Sequence, residues 1–269
     1  MIARLVGSEM CIRDRSESMY AVTAFAQSYF SKMLTESEEG KNIGLSYFKE
    51  RGFTDESIER FHLGYSPDEW TALTNAATDA GFQMEFLLST GLTIEKGDKT
   101  FDRFKGRIMF PIHSMSGRVT GFGGRILKQD KQSAKYMNSP ESEVYQKSKM
   151  LYGLYQAKQH IAKESNCYLV EGYTDVIQMH QAGIQNVVSS SGTALTPDQV
   201  RLIRRLTNTI TLLFDGDAAG LRAAIRGVDV ILEAGMHVSI CTFPAGEDPD
   251  SFVRKNKPTE VKEFLDKST

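Results

Sequence analysis

The sequence predicts an α/β fold in two parts, an α+β subdomain followed by a subdomain built on a parallel βαβ sheet. Two observations carry this prediction. From Asn166 onward, short apolar runs alternate regularly with helical segments, as expected for a right-handed, mostly parallel sheet. Before Asn166, helical segments precede one antiparallel hairpin. The 41% hydrophobic and 25% charged composition of the 269 residues is that of an ordinary globular protein.

The first subdomain is assigned to residues 19–165 and begins with helices. Apolar residues at three- and four-residue spacing predict the first helix over 19–34. Thr54 is the predicted N-cap of a short helix that ends near Phe61. Further helices are predicted over 43–51, 69–80, 82–89 and 151–162. Residues 1–18 are set apart as a leader of doubtful origin.

A hairpin with several glycines lies in the middle of this subdomain. Its strands are predicted over 108–112 and 118–127, and the segment 128–149 is predicted to be polar and irregular. The glycines of the segment 121–124 indicate a bulge or a close approach to the backbone, or simply a need for bending. They lack the G-x-G-x-x-G spacing of a dinucleotide site.

The second subdomain is assigned to residues 166–257 and consists of alternating strands and helices. Strands are predicted over 167–170, 186–189, 209–214 and 237–243, and helices over 173–182, 197–206 and 218–234. Residues 258–269 are the expected start of a further helical region that the sequence cuts short.

Charge and cysteine content narrow the class of ligand. The net charge is -2, yet the segment from Lys96 to Lys135 holds ten Lys or Arg against three Asp, which predicts an anionic ligand. The three cysteines form no C-x-x-C pair and the five histidines are dispersed, so neither zinc nor a disulfide framework is expected. No apolar stretch approaches the roughly 20 residues that span a bilayer, and a cytoplasmic location is expected.

Carboxylates follow the predicted strand ends in three clusters. Glu171 follows the first strand, Asp215 and Asp217 follow the third, and Asp248 and Asp250 follow the fourth. Residues i and i+2 of an extended segment point to the same side, and two such carboxylates repel each other unless a cation lies between them. Hard oxygen ligands of this kind suit Mg²⁺.

Other interpretations of these acids remain open. The Asp215–Asp217 segment could be an ordinary turn with solvated acids. Glu171 could act as a general acid or base. Asp175 fits a first-turn carboxylate favoured by the helix dipole, and Asp250 could cap the following helix, so Asp248 is preferred as the metal participant.

The ordered set E-G-Y-x-D (171–175), F-D-G-D-x-A-G (214–220) and G-E-D-P-D (246–250) resembles the Toprim domain of primases, topoisomerases and related nucleases. Three upstream stretches are similar to the bacterial DNA primases of the DnaG family: R-F-K-G-R-I-M-F-P-I (103–112), G-R-V-T-G-F-G-G-R (117–125) and K-Y-M-N-S-P-E (135–141). The resemblance covers about residues 19–257.

The resemblance implies the RNA polymerase core of a DNA primase, a nucleotidyltransferase that synthesises short RNA primers on single-stranded DNA. It implies Mg²⁺ or Mn²⁺ as the cofactor, and single-stranded DNA template, ribonucleoside triphosphates and RNA primer as partners. The implied catalytic and metal-binding acids are Glu171, Asp215 and Asp217, supported by Asp175, Asp248 and Asp250. The implied nucleotide- and template-binding residues are Arg51, Arg125, Lys135, Tyr136, Asn138 and Lys147.

The chain departs from the family pattern at both ends. A zinc-binding module for template recognition and a helical region for docking the replicative helicase are expected outside this sequence. Alternatives to the primase reading are a non-catalytic Toprim DNA-binding clamp, a Toprim nuclease and a topoisomerase fragment. A topoisomerase needs a tyrosine nucleophile, and none of the ten tyrosines identifies itself as one.

Overall fold

The computed structural model describes residues 2–128, 134–192, 194–214, 218–244 and 246–268, with side chains from Asp14 onward apart from those of 218–224 and 268. The chain forms two compact units. The first comprises Met1–Arg51, Ile58–Ile112 and Arg118–Gln146, and the second comprises Gly52–Ser57, His113–Gly117 and Lys147–Thr269. The second unit therefore begins earlier than the predicted boundary at residue 166.

Helices open the first unit, as predicted. They are α1 (Ile2–Glu36), a π-helical turn (Gly40–Leu45), α2 (Ser46–Glu50), α3 (Asp55–Arg60), α4 (Ala72–Asp79) and α5 (Met84–Ser89). The Ser57 N–H donates to Thr54 Oγ1 at 3.2 Å, which confirms the predicted N-cap of α3. Helix α1 continues through the proposed leader boundary at residue 18, and within that segment Arg15 ion-pairs with Glu85 and Glu143.

Two antiparallel sheets complete this unit. Strands β1 (Gly64–Ser66), β4 (Arg107–His113), β5 (Val119–Ile126) and β6 (Tyr136–Asn138) pair in the order β1-β4-β5-β6, and β2 (Thr93–Lys96) pairs with β3 (Lys99–Asp102). The predicted hairpin is confirmed as β4–β5. Strands β2, β3 and β6 were not predicted, and the expectation of an irregular segment over 128–149 was wrong for Tyr136–Asn138. Each of these strands is only three or four residues long, so periodicity gives little signal.

The glycines of β5 admit aromatic side chains. A Cβ on Gly121 would lie 2.9 Å from Tyr145 Cδ2, and one on Gly124 would lie 2.6 Å from Phe104 Cδ1. Both distances are shorter than a normal carbon contact. Of the sequence interpretations, the close approach to the backbone is therefore the one that these residues show. The Phe104 ring belongs to a core that also includes Phe30 and Phe122.

The second unit carries the predicted strand and helix alternation. Its elements are α6 (Leu154–Glu164), β7 (Cys167–Val170), α7 (Tyr173–Gln181), β8 (Val187–Ser189), α8 (Pro197–Arg204), β9 (Thr209–Phe214), α9 (Ala218–Glu233), β10 (His237–Thr242), α10 (Pro249–Lys255) and α11 (Pro258–Ser268). The strands pair in parallel in the order β10-β9-β7-β8, which confirms the parallel-sheet prediction. Leu169, Leu212 and Val188 lie in the core that holds this sheet. Within the described residues, no helix has the length and apolarity to cross a membrane.

Candidate functional site

The strand order of the second unit marks one place as a ligand site. The chain passes from β7 to β8 on one side and then returns to β9 on the other side of β7. In open parallel sheets, ligands bind beyond the carboxyl ends of the strands where the order reverses in this way. That point lies between β7 and β9. A cavity of about 470 Å³ opens here, and its lining includes Val170, Glu171, Phe214 and Arg226.

Glu171 stands on this rim. It directly follows β7 and is solvent-exposed, and the register Leu169–Leu212 places the end of β7 beside the end of β9. Its carbonyl oxygen accepts a hydrogen bond from Ser189 Oγ at 2.7 Å. The backbone at Glu171 is therefore tied to the end of β8, while its side chain is open to solvent.

Asp175 lies in the first turn of α7 and is 9% exposed. Its Oδ2 accepts a hydrogen bond from the Gly172 N–H at 2.9 Å. This geometry agrees with the first-turn interpretation of the sequence, in which a carboxylate near a helix N-terminus is stabilised by unpaired N–H groups. The Asp175 carboxylate thus holds the backbone beside Glu171.

The structure places the N-cap of α10 at Asp248 and not at Asp250, and the metal-binding roles of both residues remain predictions. Asp248 is the N-cap of α10, because its Oδ1 accepts from the Ser251 N–H at 2.6 Å. Asp250 lies in the first turn, is 2% exposed and pairs with Arg254 at 3.4 Å. The interpretation of Asp250 as a cap was wrong because Pro249 takes the first helical position, which puts the cap at Asp248, two residues before Asp250.

Asp215 and Asp217 lie outside the described residues. Strand β9, which they follow in sequence, ends at Phe214 on the same rim as Glu171. Among the residues that are described, no group of three His, Cys, Asp or Glu side chains is placed to hold a metal ion. The exposed Glu171 carboxylate nevertheless offers the hard oxygen ligand that Mg²⁺ prefers, so the donor chemistry of the rim fits such an ion.

In the first unit, two arginines and a second tyrosine gather around the Tyr47 ring. We call this group the Arg–Tyr cluster; its members are Tyr47, Arg51, Arg125 and Tyr136. The guanidinium carbons of Arg51 and Arg125 lie 5.7 and 4.9 Å from the centroid of the Tyr47 ring. Arg125 also donates to the Tyr47 hydroxyl and, at 3.2 Å, to the Tyr136 hydroxyl. Three of the six predicted nucleotide- and template-binding residues are thereby brought together around Tyr47, which the sequence analysis missed.

The other three predicted binding residues are placed separately. Asn138 pairs with Gly123 in the β5–β6 ladder, and Lys135 precedes β6 with its side chain exposed. Lys147 belongs to the second unit, in a 3₁₀ turn whose carbonyl accepts from Gln199 Nε2 at 3.2 Å. The roles of all six residues remain predictions.

Comparison with known proteins agrees with the resemblance to DNA primases and to the Toprim domain that the sequence motifs suggested. A family model described as the DNA primase catalytic core, N-terminal domain, matches residues 29–158, and a Toprim-like model matches residues 168–253. The DNA primase of Halalkalibacterium halodurans is 43% identical over 241 residues, which cover 89% of this chain and 40% of that protein. A DNA primase domain from Pseudomonas aeruginosa superposes with a TM-score of 0.86 at 36% identity, over 93% of this chain and 78% of that one.

The chain belongs to the DNA primase family. A DnaG primase catalytic domain whose structure was determined bound to single-stranded DNA is also similar, with a TM-score of 0.86 at 32% identity over 96% of this chain and 83% of that one. The chain spans about two fifths of the length of the curated primases it matches. Membership of this Toprim-containing family implies the use of a divalent metal ion in general.

The primase core has a second surface feature that the sequence analysis missed. Trp70 is 67% exposed, an unusual exposure for a large apolar side chain. The Lys105 ammonium lies 4.7 Å from the centroid of its ring, and Phe101 meets it edge-on at 6.0 Å. The signal was present: this is the only Trp of the sequence. The sequence analysis placed Trp70 inside the predicted helix 69–80 and therefore did not single it out. In the structure α4 begins at Ala72, so Trp70 lies before the helix.

The charge beside Trp70 is partly neutralised. Lys105 and Lys128 both donate to the Asp68 carboxylate, which they share. These hydrogen bonds, that of Lys105 first, lower the pKa of Asp68 from its ordinary value. The group of two lysines and one aspartate keeps a single net positive charge beside an exposed aromatic ring.

Proposed function

We propose that the chain is the RNA polymerase core of a bacterial DNA primase and joins ribonucleotides on a single-stranded DNA template. The observation that carries this proposal is the position of Glu171 at the switch point of the parallel sheet, beside the end of the strand that Asp215 and Asp217 follow. The matches to primase catalytic cores over both units support it.

In this proposal the rim of the second unit is the reaction centre. Glu171, Asp215 and Asp217 would hold the divalent metal ions, Mg²⁺ or Mn²⁺, with Asp248 and Asp250 in supporting places; no zinc is expected. Metal ions held in this way neutralise the charge on the phosphates that react. Glu171 would contribute an oxygen ligand from an exposed position, and the hydrogen bond from Ser189 holds the backbone from which its side chain extends.

The first unit would supply the binding of nucleic acid and nucleotide. Arg51 and Arg125 carry guanidinium groups that suit phosphate oxygens, and Tyr47 and Tyr136 fix the direction of Arg125. Lys135, Asn138 and Lys147 are proposed as further contacts to nucleotide or template. Trp70 beside Lys105 offers a flat apolar ring with an adjacent charge, the combination on which single-stranded nucleic acid stacks.

The proposed partners are single-stranded DNA, ribonucleoside triphosphates and the RNA primer. The replicative helicase is a proposed partner of the longer protein, at a cytoplasmic replication fork. The alternative of a Toprim DNA-binding clamp without catalysis is not favoured. Glu171 is exposed at the edge of the sheet where ligands bind, as a metal-binding carboxylate would be.

The test is template-directed incorporation of labelled ribonucleotides onto a preformed RNA primer annealed to DNA. Wild type is compared with Asp215→Asn and Glu171→Gln, with and without Mg²⁺ or Mn²⁺. Asp229→Asn is the matched control, since Asp229 is an exposed carboxylate on α9 and the change of charge is the same.

We expect metal-dependent extension by wild type and Asp229→Asn, and its loss in the two rim variants. DNA binding without extension in every variant would refute the polymerase assignment and leave the clamp. Cleavage of the template strand by wild type would indicate a nuclease instead.

A further inference from the structure

The peptide group between Glu171 and Gly172 is held at both of its polar atoms by side chains. Ser189 Oγ donates to the Glu171 carbonyl oxygen at 2.7 Å. The Gly172 N–H donates to Asp175 Oδ2 at 2.9 Å. These two groups belong to one planar peptide unit, so the two side chains fix the orientation of a single plane.

The plane of this peptide sets the direction of the Glu171 side chain. This peptide plane begins at the Glu171 Cα, and its rotation about the Cα–C bond is the ψ angle of Glu171. Because strand β7 fixes the peptide group that precedes Glu171, few directions remain for the Glu171 Cβ. Strand β7 ends at Val170, so the β-ladder no longer constrains Glu171. The hydrogen bonds from Ser189 and to Asp175 constrain the backbone at Glu171, the first residue after the strand.

Ser189 is itself immobilised. It is fully buried, and its backbone N–H and carbonyl pair with Tyr152 at 3.0 and 2.9 Å. Its Oγ also accepts from the Ser191 N–H at 2.8 Å, so the hydroxyl is directed toward Glu171. Beneath this turn, the rings of Tyr152 and Tyr173 pack edge-to-face with centroids 4.7 Å apart.

Asp175 reaches the peptide because residue 172 is a glycine. A Cβ on Gly172 would lie 2.9 Å from Asp175 Oδ2, too close for any larger residue without displacement of the carboxylate. The hydrogen bond is charge-assisted, which makes it stronger than an ordinary backbone contact.

We propose that Ser189 and Asp175 are positioning residues that clamp the Glu171–Gly172 peptide and thereby aim the Glu171 carboxylate at the reaction centre. The catalytic part of this inference rests on the proposed function of Glu171, whereas the clamp itself can be measured without metal or substrate. Asp175 acts in it through its hydrogen bond to the backbone.

The experiment compares Ser189→Ala, Asp175→Ala and Asp175→Asn with a matched control, Thr211→Val. Thr211 is also fully buried in the same sheet, and its Oγ1 donates to Asn166 Oδ1 at 3.2 Å, near the start of β7 rather than at its end. The control therefore loses a buried hydroxyl without touching Glu171. Ser189→Cys, which keeps a weak donor in nearly the same volume, replaces Ser189→Ala if that variant does not fold.

Four measurements are made. The first two are the melting temperature and the hydrogen exchange of the backbone amides over 171–175 and 191 in metal-free protein. The others are the steady-state kinetics of primer extension (kcat and KM) and Mn²⁺ binding followed by electron paramagnetic resonance. In Ser189→Ala we expect faster amide exchange, weaker Mn²⁺ binding and a kcat lower by about 10- to 100-fold, the cost of misplacing a reacting group by about 1 Å. The KM for ribonucleotide should stay within about twofold, because the nucleotide contacts are unchanged.

Asp175→Ala should lose about as much kcat as Ser189→Ala, and Asp175→Asn should lose less than Asp175→Ala, since its amide oxygen still accepts from the Gly172 N–H. Unchanged exchange over 171–175 in Ser189→Ala, or a kcat equal to that of Thr211→Val, overturns the clamp. If Glu171→Gln extends primers as well as wild type does, the proposed function fails instead, and the exchange data still decide on the clamp.

Discussion

Replacing Trp70 by Ala gives the sharpest test of the proposed template surface. Trp70 is 67% exposed, the Lys105 ammonium lies 4.7 Å from the centroid of its ring, and Phe101 meets the ring edge-on. We expect one base to stack on the exposed part of this ring. Stacking of one base on an aromatic side chain contributes about 1–3 kcal/mol, so the Kd for single-stranded DNA should rise about 5- to 150-fold. Because the ring is mostly exposed, the free energy of unfolding should fall by less than about 1 kcal/mol.

The assay has an internal reporter, because Trp70 is the only Trp of the chain. Stacking against a base should quench its fluorescence during titration with oligo(dT), and a labelled oligonucleotide gives the Kd of the variant by anisotropy. Trp70→Phe should retain part of the affinity, since a smaller ring still stacks.

The control is Tyr155→Ala, which removes a 38% exposed aromatic ring from the second unit. We expect its affinity for oligo(dT) to equal that of wild type. Unquenched fluorescence at saturating DNA, combined with an unchanged Kd in Trp70→Ala, would show that the template does not pass over this ring.

Four more outcomes are expected. Asp68→Asn should bind single-stranded DNA more tightly and with a steeper salt dependence, because it frees a lysine charge; weaker binding would contradict this. The lowered pKa of Asp68 also predicts a stability contribution that is present above its ordinary value of 3.8 and lost as pH falls through the lowered pKa, measured as the difference in urea midpoint between wild type and Asp68→Asn. Asp102→Ala should reduce the free energy of unfolding by about 2–4 kcal/mol in urea, since the buried carboxylate accepts from the Leu73 and Thr74 N–H groups at the start of α4; a loss below 0.5 kcal/mol would refute that role. Cys167 should resist iodoacetamide at pH 8 until the protein unfolds, since burial raises the pKa of its thiol, and peptide mass spectrometry would reveal early labelling.

The sequence predicted the second unit well because its physical signals agree. Strand β7 and strand β9 were predicted with the bounds that the structure has, since each is a short, mostly apolar and mostly buried run in a parallel sheet. The residue after each run is an acid, and this placed Glu171 at the rim from the sequence alone. Strand order, which identifies the switch point between β7 and β9, is a property of the fold that no local pattern encodes.

The first unit was predicted less completely because its short strands depend on tertiary pairing. Strand β6 has only three residues, too few for a periodic pattern, and its residues pair with Gly123, Gly124 and Arg125 of β5. The contact of Tyr47 with Arg125 was equally invisible, since Arg125 lies 78 positions further along the chain. The sequence motifs identified Arg125, Tyr136 and Asn138, but local patterns could not predict the tertiary contacts that position these residues.

The Toprim motif E-G-Y-x-D acquires a physical explanation from the geometry at Gly172. As a list of acids, it suggests two metal ligands, Glu171 and Asp175. The structure shows a local unit in which the glycine admits the Asp175 carboxylate and the three-residue separation places that carboxylate on the Gly172 N–H, while the metal-binding role of Asp175 stays a prediction. The same spacing is the one at which a side chain reaches back to the N-cap backbone of a helix. A metal ligand is useful only if its direction is fixed, so an acid that holds the backbone of another acid serves the same site without itself having to touch the ion.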